Sequence, residues 1–368
     1  MRDNKQVQRT HRWVCWPLPL LTPTTRARPN EEGDVMINID DAYARLASLS
    51  AANLGKTAPN PNVAAAIYSA DGTLIAEGAH NRLTSPDHAE VVAIKKAGDA
   101  ARGATIVVSL EPCNHTGITG PCVDAIIEAG ITKVIYAVKD PNPIAAGGAD
   151  SLQSAGIEVE FVESRQLRVT QGAWLHRITT GRPYFIWKVA TTLDGRIAAS
   201  DGTSQWITGR ESREDVQYLR AEADAILIGT GTALADNPTL RARLEGVRPA
   251  PRIVMGNREI PEDFILNDGI GETYFLRSHD HNDLLSLTKE LGLNQVLVEA
   301  GPTLGSSLFK AGIIDEVILY QAPVLLGSGK SWLEDIGVTT IKDAIALSAP
   351  SITACGPDFK FRYRVEKH

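Results

Sequence analysis

The sequence predicts an α/β protein built as two domains, and three observations carry that expectation. Its 368 residues exceed what one hydrophobic core usually holds. Short apolar runs of strand length alternate with segments of helical spacing along nearly the whole chain. A junction-like stretch, Thr179-Thr-Gly-Arg-Pro183, separates two such alternating sets, with no repeat between them.

In the first set, Asp40–Leu54 has helical spacing through Tyr43, Leu46, Ala47 and Leu49. Val63–Ser69 and Thr73–Gly78 are strand-like runs joined by Asp71-Gly72, a hairpin turn signal. His88–Ala97 reads as a helix stopped by Gly98, and Val123–Ala129 as a helix closed by Gly130. Thr105–Leu110, Lys133–Val138 and Ile157–Val162 complete the strands, with a turn at Asp140-Pro-Asn-Pro143. In the second set, strand-like runs fall at Tyr184–Ala190, Ala225–Ile228, Arg252–Met255, Thr273–Leu276, Gln295–Glu299 and Glu316–Gln321. Helical segments fall at Ser212–Ala223, Asp283–Leu291 and Pro302–Lys310. The expected domains are therefore residues 36–180 and 181–368.

Residues 1–35 stand apart. Six basic residues against one acid precede Asn30, and the apolar run at 13–21 is broken by two prolines. That run is too short to span a bilayer and lacks a small-residue cleavage site. A disordered or dispensable extension is expected, with a targeting segment as the alternative. A formal charge of −7 argues against a surface that coats nucleic acid, yet permits a local basic pocket for a phosphate. Of the four cysteines, Cys15 and Cys355 lie far from the other two, so a reducing, cytoplasmic setting is expected.

The other two cysteines carry the chemistry. His88-Ala-Glu90 is followed by Pro112-Cys113 and Pro121-Cys122. One imidazole and two thiolates leave the fourth tetrahedral position of zinc open for water, as a catalytic site requires. Bound zinc lowers that water's pKa from 15.7 toward roughly 7. Glu90, too near His88 in sequence to be an obvious fourth ligand, is the candidate for moving its protons. Two alternatives remain at this point: a structural zinc with His115 as fourth ligand, and a Cys113–Cys122 disulfide.

These residues resemble a known family. Pro59-Asn-Pro-Asn-Val63, His88-Ala-Glu90, Leu110-Glu-Pro-Cys-Asn-His-Thr-Gly-Ile-Thr-Gly-Pro-Cys122 and Asp140-Pro-Asn-Pro143 are similar to the pyrimidine deaminase of riboflavin biosynthesis. The C-x8-C gap separates that enzyme from deaminases of the C-x-x-C type. The resemblance implies a three-layer α/β/α domain of the cytidine-deaminase-like class. It further implies that His88, Cys113 and Cys122 hold Zn2+, that Glu90 shuttles protons, and that Asn60 and His115 line the base pocket.

In the second half, Gly229-Thr-Gly-Thr lacks the third glycine of a dinucleotide fingerprint, since position 234 is Leu234. A better phosphate candidate is Glu299-Ala-Gly-Pro-Thr-Leu304, which follows a strand and opens a helix. Backbone N–H groups from Gly301 to Gly305 are expected to cradle a pyrophosphate there. With Lys188-x-Ala190, Leu193-Asp-Gly-Arg196, Ser204-Gln-Trp-Ile-Thr208, Arg220 and Thr232–Arg243, this segment resembles the reductase domain that the same pathway fuses to its deaminase. That family has a dihydrofolate-reductase-like fold and uses NADPH. By the resemblance, Ala190, Trp206, Thr232, Asp236, Asn257, Gly301, Pro302, Thr303, Leu304, Gly305, Ser306 and Ser307 surround the cofactor. Ser204, Arg220, Leu240, Arg243 and Glu299 would meet substrate. Arg220 and Arg243 suit a ribose 5-phosphate, because guanidinium forks match phosphate oxygens. Lys188 and Asp236 are the ionisable candidates for proton transfer.

The expectation is a bifunctional enzyme of riboflavin biosynthesis. It would deaminate 2,5-diamino-6-(5-phosphoribosylamino)pyrimidin-4(3H)-one and then reduce the ribosyl side chain to ribityl. The expected partner is that small phosphorylated aminopyrimidine, with no nucleic acid or membrane involved, and a homo-oligomer is expected. The alternatives are a deaminase of another nucleobase or nucleic acid, and a non-catalytic, zinc-stabilised nucleotide-binding protein.

Overall fold

Asn38 caps the first helix, its side-chain oxygen accepting from the backbone N–H groups of Asp40 and Asp41. The computed structural model describes residues 37–366, so the expectation for residues 1–35 lies outside them. The first helix, α1 (Ile39–Ala51), is followed by the hairpin β1 (Ala64–Tyr68) and β2 (Leu74–Ala79). Then come α2 (Ala89–Ala97), β3 (Thr105–Val108), α3 (Cys122–Glu128), β4 (Lys133–Tyr136), α4 (Gly148–Ser154) and β5 (Glu158–Phe161). Two short helices, α5 (Arg165–Thr170) and α6 (Gly172–Thr180), close the set.

The five strands form one sheet in the order β2-β1-β3-β4-β5. β1 runs antiparallel to both neighbours, whereas β3, β4 and β5 are parallel. β1 is buried along its whole length, which explains its uninterrupted Ala-Ala-Ala-Ile-Tyr run. Helices α2, α3 and α4 pack together on one side, and α1 packs against α5, giving three layers. The Tyr43 hydroxyl on α1 donates to Val162 O at 2.6 Å, fixing that helix against the chain beyond β5.

The second set opens with β6 (Tyr184–Thr192), β7 (Arg196–Ala198), α7 (Arg210–Glu222), β8 (Ala225–Gly229) and α8 (Thr230–Asp236). β9 (Arg252–Met255), β10 (Thr273–Leu276), α9 (His281–Glu290), β11 (Gln295–Val298) and α10 (Pro302–Lys310) follow. β12 (Ile314–Ala322), β13 (Lys330–Ser331), β14 (Ser351–Cys355) and β15 (Asp358–Arg364) complete the chain. Eight strands form a sheet in the order β10-β9-β8-β11-β6-β12-β15-β14. The first six are parallel, and β15 and β14 add an antiparallel edge. From β8 the chain moves outward to β9 and β10, then returns to insert β11 between β8 and β6. Both faces are apolar: Phe185, Trp187 and Val189 face one core, while Ile186, Ile226 and Ile318 face the other.

Three parts of the fold escape the sequence reading. The glycines at 229 and 231 conceal α8, whose tertiary packing outweighs their poor helix propensity. α5 and α6 are too short for a clear period. β15 reads as polar because aromatic and cationic residues alternate, yet its cations are partnered. Lys360 Nζ meets Asp215 at 2.6 Å, and Arg362 Nε meets Glu316 at 2.6 Å. Among the described residues, no helix is long and apolar enough to cross a membrane.

Candidate active sites

His88 is the N-cap of α2, and Glu90 lies in that helix's first turn. Cys113 lies beyond the end of β3, and Cys122 opens α3. These three connections bring His88, Cys113 and Cys122 together, with one ligand atom of each within 4.8 Å of the others. His88 Nδ1 stands 3.3 Å from Cys122 Sγ and 3.5 Å from Cys113 Sγ. His115 is not part of this group, and both cysteines are free thiols, so neither alternative for them survives. The donor set, one imidazole nitrogen and two sulfurs, fits a tetrahedral zinc with one position left over.

The surroundings prepare those atoms. Cys113 Sγ accepts from the N–H of Cys122 at 3.4 Å, a helix-start donor that favours thiolate. The Cys113 thiol is held well below the usual range, first by its hydrogen bond with Cys122 and then by His88. Glu90 is 3% exposed, and its Oε2 has no hydrogen-bond partner. Burial, followed by repulsion from Cys113, raises its carboxyl to about 7. A buried carboxyl with one free oxygen and that affinity for protons suits a proton carrier.

One residue of this pocket was not foreseen. His80, at the end of the β2 arm, is buried and packs edge-on against His88 with ring centres 5.3 Å apart. Its Nδ1 lies 2.8 Å from Asp87 O, so Nδ1 carries the proton and Nε2 accepts from Asn60 Nδ2 at 3.1 Å. Burial lowers its pKa, so this ring stays neutral. A histidine closing a strand eight residues before His88 was the available signal. His115 Nδ1 is buried without a partner, on the loop between the two cysteines.

The second site gathers at the carboxyl ends of the parallel strands, around β11, where ligand crevices of open α/β sheets form. Glu299, immediately beyond β11, receives Arg220 from α7 bidentately, at 2.6 Å to Oε1 and 3.0 Å to Oε2. Lys188 Nζ on β6 stands 3.6 Å from Glu299 Oε2. Burial would raise the Glu299 carboxyl, but Arg220 and Lys188 outweigh it and bring it down to about 2. The Asp236 carboxyl is raised, chiefly by burial, with Gln205 and Lys188 opposing. Lys188, Asp236 and Glu299 thus act on one another across the crevice.

Three details differ from the sequence reading. Arg220 is not free for a phosphate, because its fork is spent on Glu299 and its Nη1 donates to Arg241 O at 3.3 Å. Arg243 is exposed and forms no ion pair among the described residues. Second, the opening of α10 offers two free donors rather than five. The Gly301 N–H goes to Thr232 Oγ1, Pro302 has none, and the Gly305 N–H goes to Gly301 O, which leaves Thr303 and Leu304. Gly305 has a packing role, since a Cβ there would stand 2.1 Å from the Trp187 ring. Ser306 accepts from Glu334 N, and Ser307 Oγ lies 3.0 Å from His281 Nε2. Third, Leu240 is buried in the core and can meet a ligand only through its backbone. Ala190 lies on β6, Thr232 on α8 and Asn257 just beyond β9, all at the crevice end of the sheet. Ser204 and Trp206 are exposed on the loop before α7, where Arg213 lies over the Trp206 ring at 4.6 Å.

Comparison with known proteins gives the lineage. Residues 37–138 match the family model of the cytidine and deoxycytidylate deaminase zinc-binding region, and residues 183–361 match the RibD C-terminal domain. The riboflavin biosynthesis protein RibD of Mycobacterium tuberculosis (strain H37Rv) is 44% identical over 332 residues, covering 87% of this chain and 96% of its own. This chain belongs to the RibD family. RibD of Escherichia coli K12 is 40% identical over 363 residues, covering 87% of this chain and 98% of its own. The solved Acinetobacter baumannii RibD is 34% identical, covers 89% of this chain and 99% of its own, and superposes with a TM-score of 0.81. A Thermotoga maritima structure, a diaminohydroxyphosphoribosylaminopyrimidine deaminase/5-amino-6-(5-phosphoribosylamino)uracil reductase, does so at 31% identity and 0.78, covering 88% and 97%.

As a RibD protein, the chain is a bifunctional deaminase and reductase of riboflavin biosynthesis, with a zinc-binding first half. That decides against the non-catalytic alternative and against a deaminase of another base. The RibD zinc group also depends on a distant backbone contact. A Cβ on Gly148 would stand 1.8 Å from Pro112 O, the residue before Cys113. Gly148→Ala must push that backbone aside, and misplacing one ligand costs roughly 10–100-fold in zinc affinity. The expected result is zinc loss on dialysis against a chelating indicator, with the reductase unaffected. Full zinc retention would show that the Pro112 carbonyl moves without carrying Cys113 along.

Proposed function

We propose that His88, Cys113 and Cys122 hold the zinc and that Glu90 moves the protons of the deamination. When bound, zinc supplies a water that ionises near neutral pH, and NADPH supplies the two electrons of the second step. Glu90 takes the water proton and returns protons to the amine leaving C2 of the pyrimidine, which departs as ammonia. Asn60, oriented by His80, and His115 hold the base. In the second half, Thr303 and Leu304 offer free N–H groups to the cofactor's phosphates, beside Thr232 and Asn257. Arg243 takes the ribose 5-phosphate. Lys188 and Asp236 exchange the proton that accompanies reduction at C1′ of the ribose, and Arg220 holds Glu299 in place.

The observation that carries this reading is the buried Glu90, its Oε2 free, beside a His-Cys-Cys group. The proposed division places the deaminase in residues 36–180 and the reductase in 181–368, in keeping with the separate five-stranded and eight-stranded sheets. Thiols that must stay reduced to bind metal support a cytoplasmic enzyme. Its partner is a small molecule, with neither nucleic acid nor membrane, and its assembly as a homo-oligomer is a matter for light scattering.

The test supplies the diaminopyrimidine phosphate and follows ammonia and NADPH absorbance together. Ammonia should appear first and NADPH should then fall. Chelated enzyme should release no ammonia, yet still oxidise NADPH when given the deaminated intermediate. Ammonia release from metal-free enzyme would sink the zinc assignment, and NADPH oxidation before any ammonia would sink the order of steps.

A further inference from the structure

Two residues outside the first sheet's strands converge on the segment that carries Asn60. Asn294 is 5% exposed and immediately precedes β11 in the reductase half. Its backbone is fixed on both sides. Asp224 accepts from the N–H groups of Asn294 and Gln295 at 2.8 and 2.9 Å, and Asn294 O accepts from Tyr184 N at 2.8 Å. From this anchor the Asn294 side chain uses both ends. Its Nδ2 donates to Asn60 O at 3.1 Å, and its Oδ1 accepts from Arg177 Nε at 2.7 Å. The other arm of Arg177, Nη2, donates to Pro59 O at 2.5 Å.

The chemistry of Arg177 is informative. A half-buried guanidinium ordinarily seeks a carboxylate. Here both arms serve neutral oxygens, an amide and a carbonyl, and Arg177 forms no ion pair among the described residues. Its fork therefore defines a geometry between Pro59 and Asn294, while the buried Asp224 carboxylate acts on it through charge without forming an ion pair. What that geometry fixes is Asn60, whose side chain meets His80 at 3.1 Å, and His80 in turn packs against the ligand His88. Asn294 thus stands three contacts from the metal group of the other half.

We infer that Asn294 and Arg177 are positioning residues of the deamination: Asn294 of the reductase half, together with Arg177 beside the junction, completes the deaminase pocket by holding Pro59-Asn60 in register with His80. This rests on the reading of Asn60 as a base-pocket residue. It assigns to the junction a catalytic duty beyond joining two enzymes, and it makes the pocket's shape a property of the whole chain.

The experiment uses the full-length enzyme carrying Asn294→Asp, which keeps the shape and the acceptor for Arg177 but loses the donor to Asn60 O. The KM for the diaminopyrimidine phosphate should rise about tenfold, the worth of one hydrogen bond, with kcat within about twofold. Zinc content, and NADPH oxidation with the deaminated intermediate, should match the parent. Arg177→Gln should give the same split. A proportional loss of both activities in the two variants would mean the contacts only hold the protein together, and would overturn the inference. Asn60→Ala separates the two readings. If it lowers deamination while Asn294→Asp and Arg177→Gln leave KM unchanged, the inference alone fails. If Asn60→Ala leaves deamination intact, the pocket assignment fails and the inference with it.

Discussion

Glu90→Gln is expected to reduce ammonia release by about 10²–10⁴-fold while leaving the zinc in place and NADPH oxidation untouched. The size follows from what is removed. Glu90 is almost wholly buried with its Oε2 free, and the Cys122 thiol that meets its carboxyl still finds an amide oxygen in glutamine. Glutamine has nearly the same shape, so α2 and the His88 ligand beside it should stand unmoved. What disappears is a carboxyl that burial has pushed up to about 7, able to accept and release a proton near neutrality. Metal content by atomic absorption, alongside the ammonia assay, checks the prediction. Zinc loss in this variant would make Glu90 part of the metal's support, and unchanged turnover would remove it from the reaction.

The second large effect is expected at Glu299. Its carboxylate is the shared partner of Arg220 and Lys188, whose side chains are only 14% and 19% exposed. Glu299→Ala therefore leaves the buried Arg220 without its counter-charge and Lys188 with Asp236 alone, a change that costs about 3–5 kcal/mol. Reductase turnover should vanish with it, because Lys188 and Arg220 lose the group that orients them. The pH dependence has a definite sign. The folded carboxyl is brought down to about 2 from 4.5, so the stability it contributes is present above 4.5 and lost as pH falls through about 2. The gap in urea midpoint between parent and variant should be constant from neutrality to mildly acid pH and close only in strong acid. A gap that closed near pH 7 would show that another group carries the charge.

The first site was more legible in the sequence than the second, for a physical reason. Zinc ligands are few, chemically distinctive and tied to helix starts, so His88, Cys113 and Cys122 could be named from type and spacing alone. The crevice of the second half depends on which arm of an arginine points where. Arg220 looked like a phosphate grip until Glu299, far along the chain, proved to be its partner. The donors of α10 likewise could not be counted before Thr232 was seen to take one of them. His80 escaped because one histidine at a strand end carries no pattern, and Asn294 because its partners lie across the junction. For the fold, apolar periodicity found the buried strands and missed β15, whose cations are paired in the interior.

The place of β11 in the larger sheet bears on how this chain is made. β11 lies between β8 and β6, yet about seventy residues separate the end of β8 from its start. A ribosome that has delivered β6 through β10 has therefore produced two neighbouring edges with nothing between them. Both are apolar and unpaired, the kind of edge that captures foreign strands. Arrival of residues 295–298 seals that gap and delivers Glu299 to Arg220 and Lys188. The strand that closes this gap is thus the one that brings the crevice its central charge, so a chain that has not inserted it lacks a working reductase.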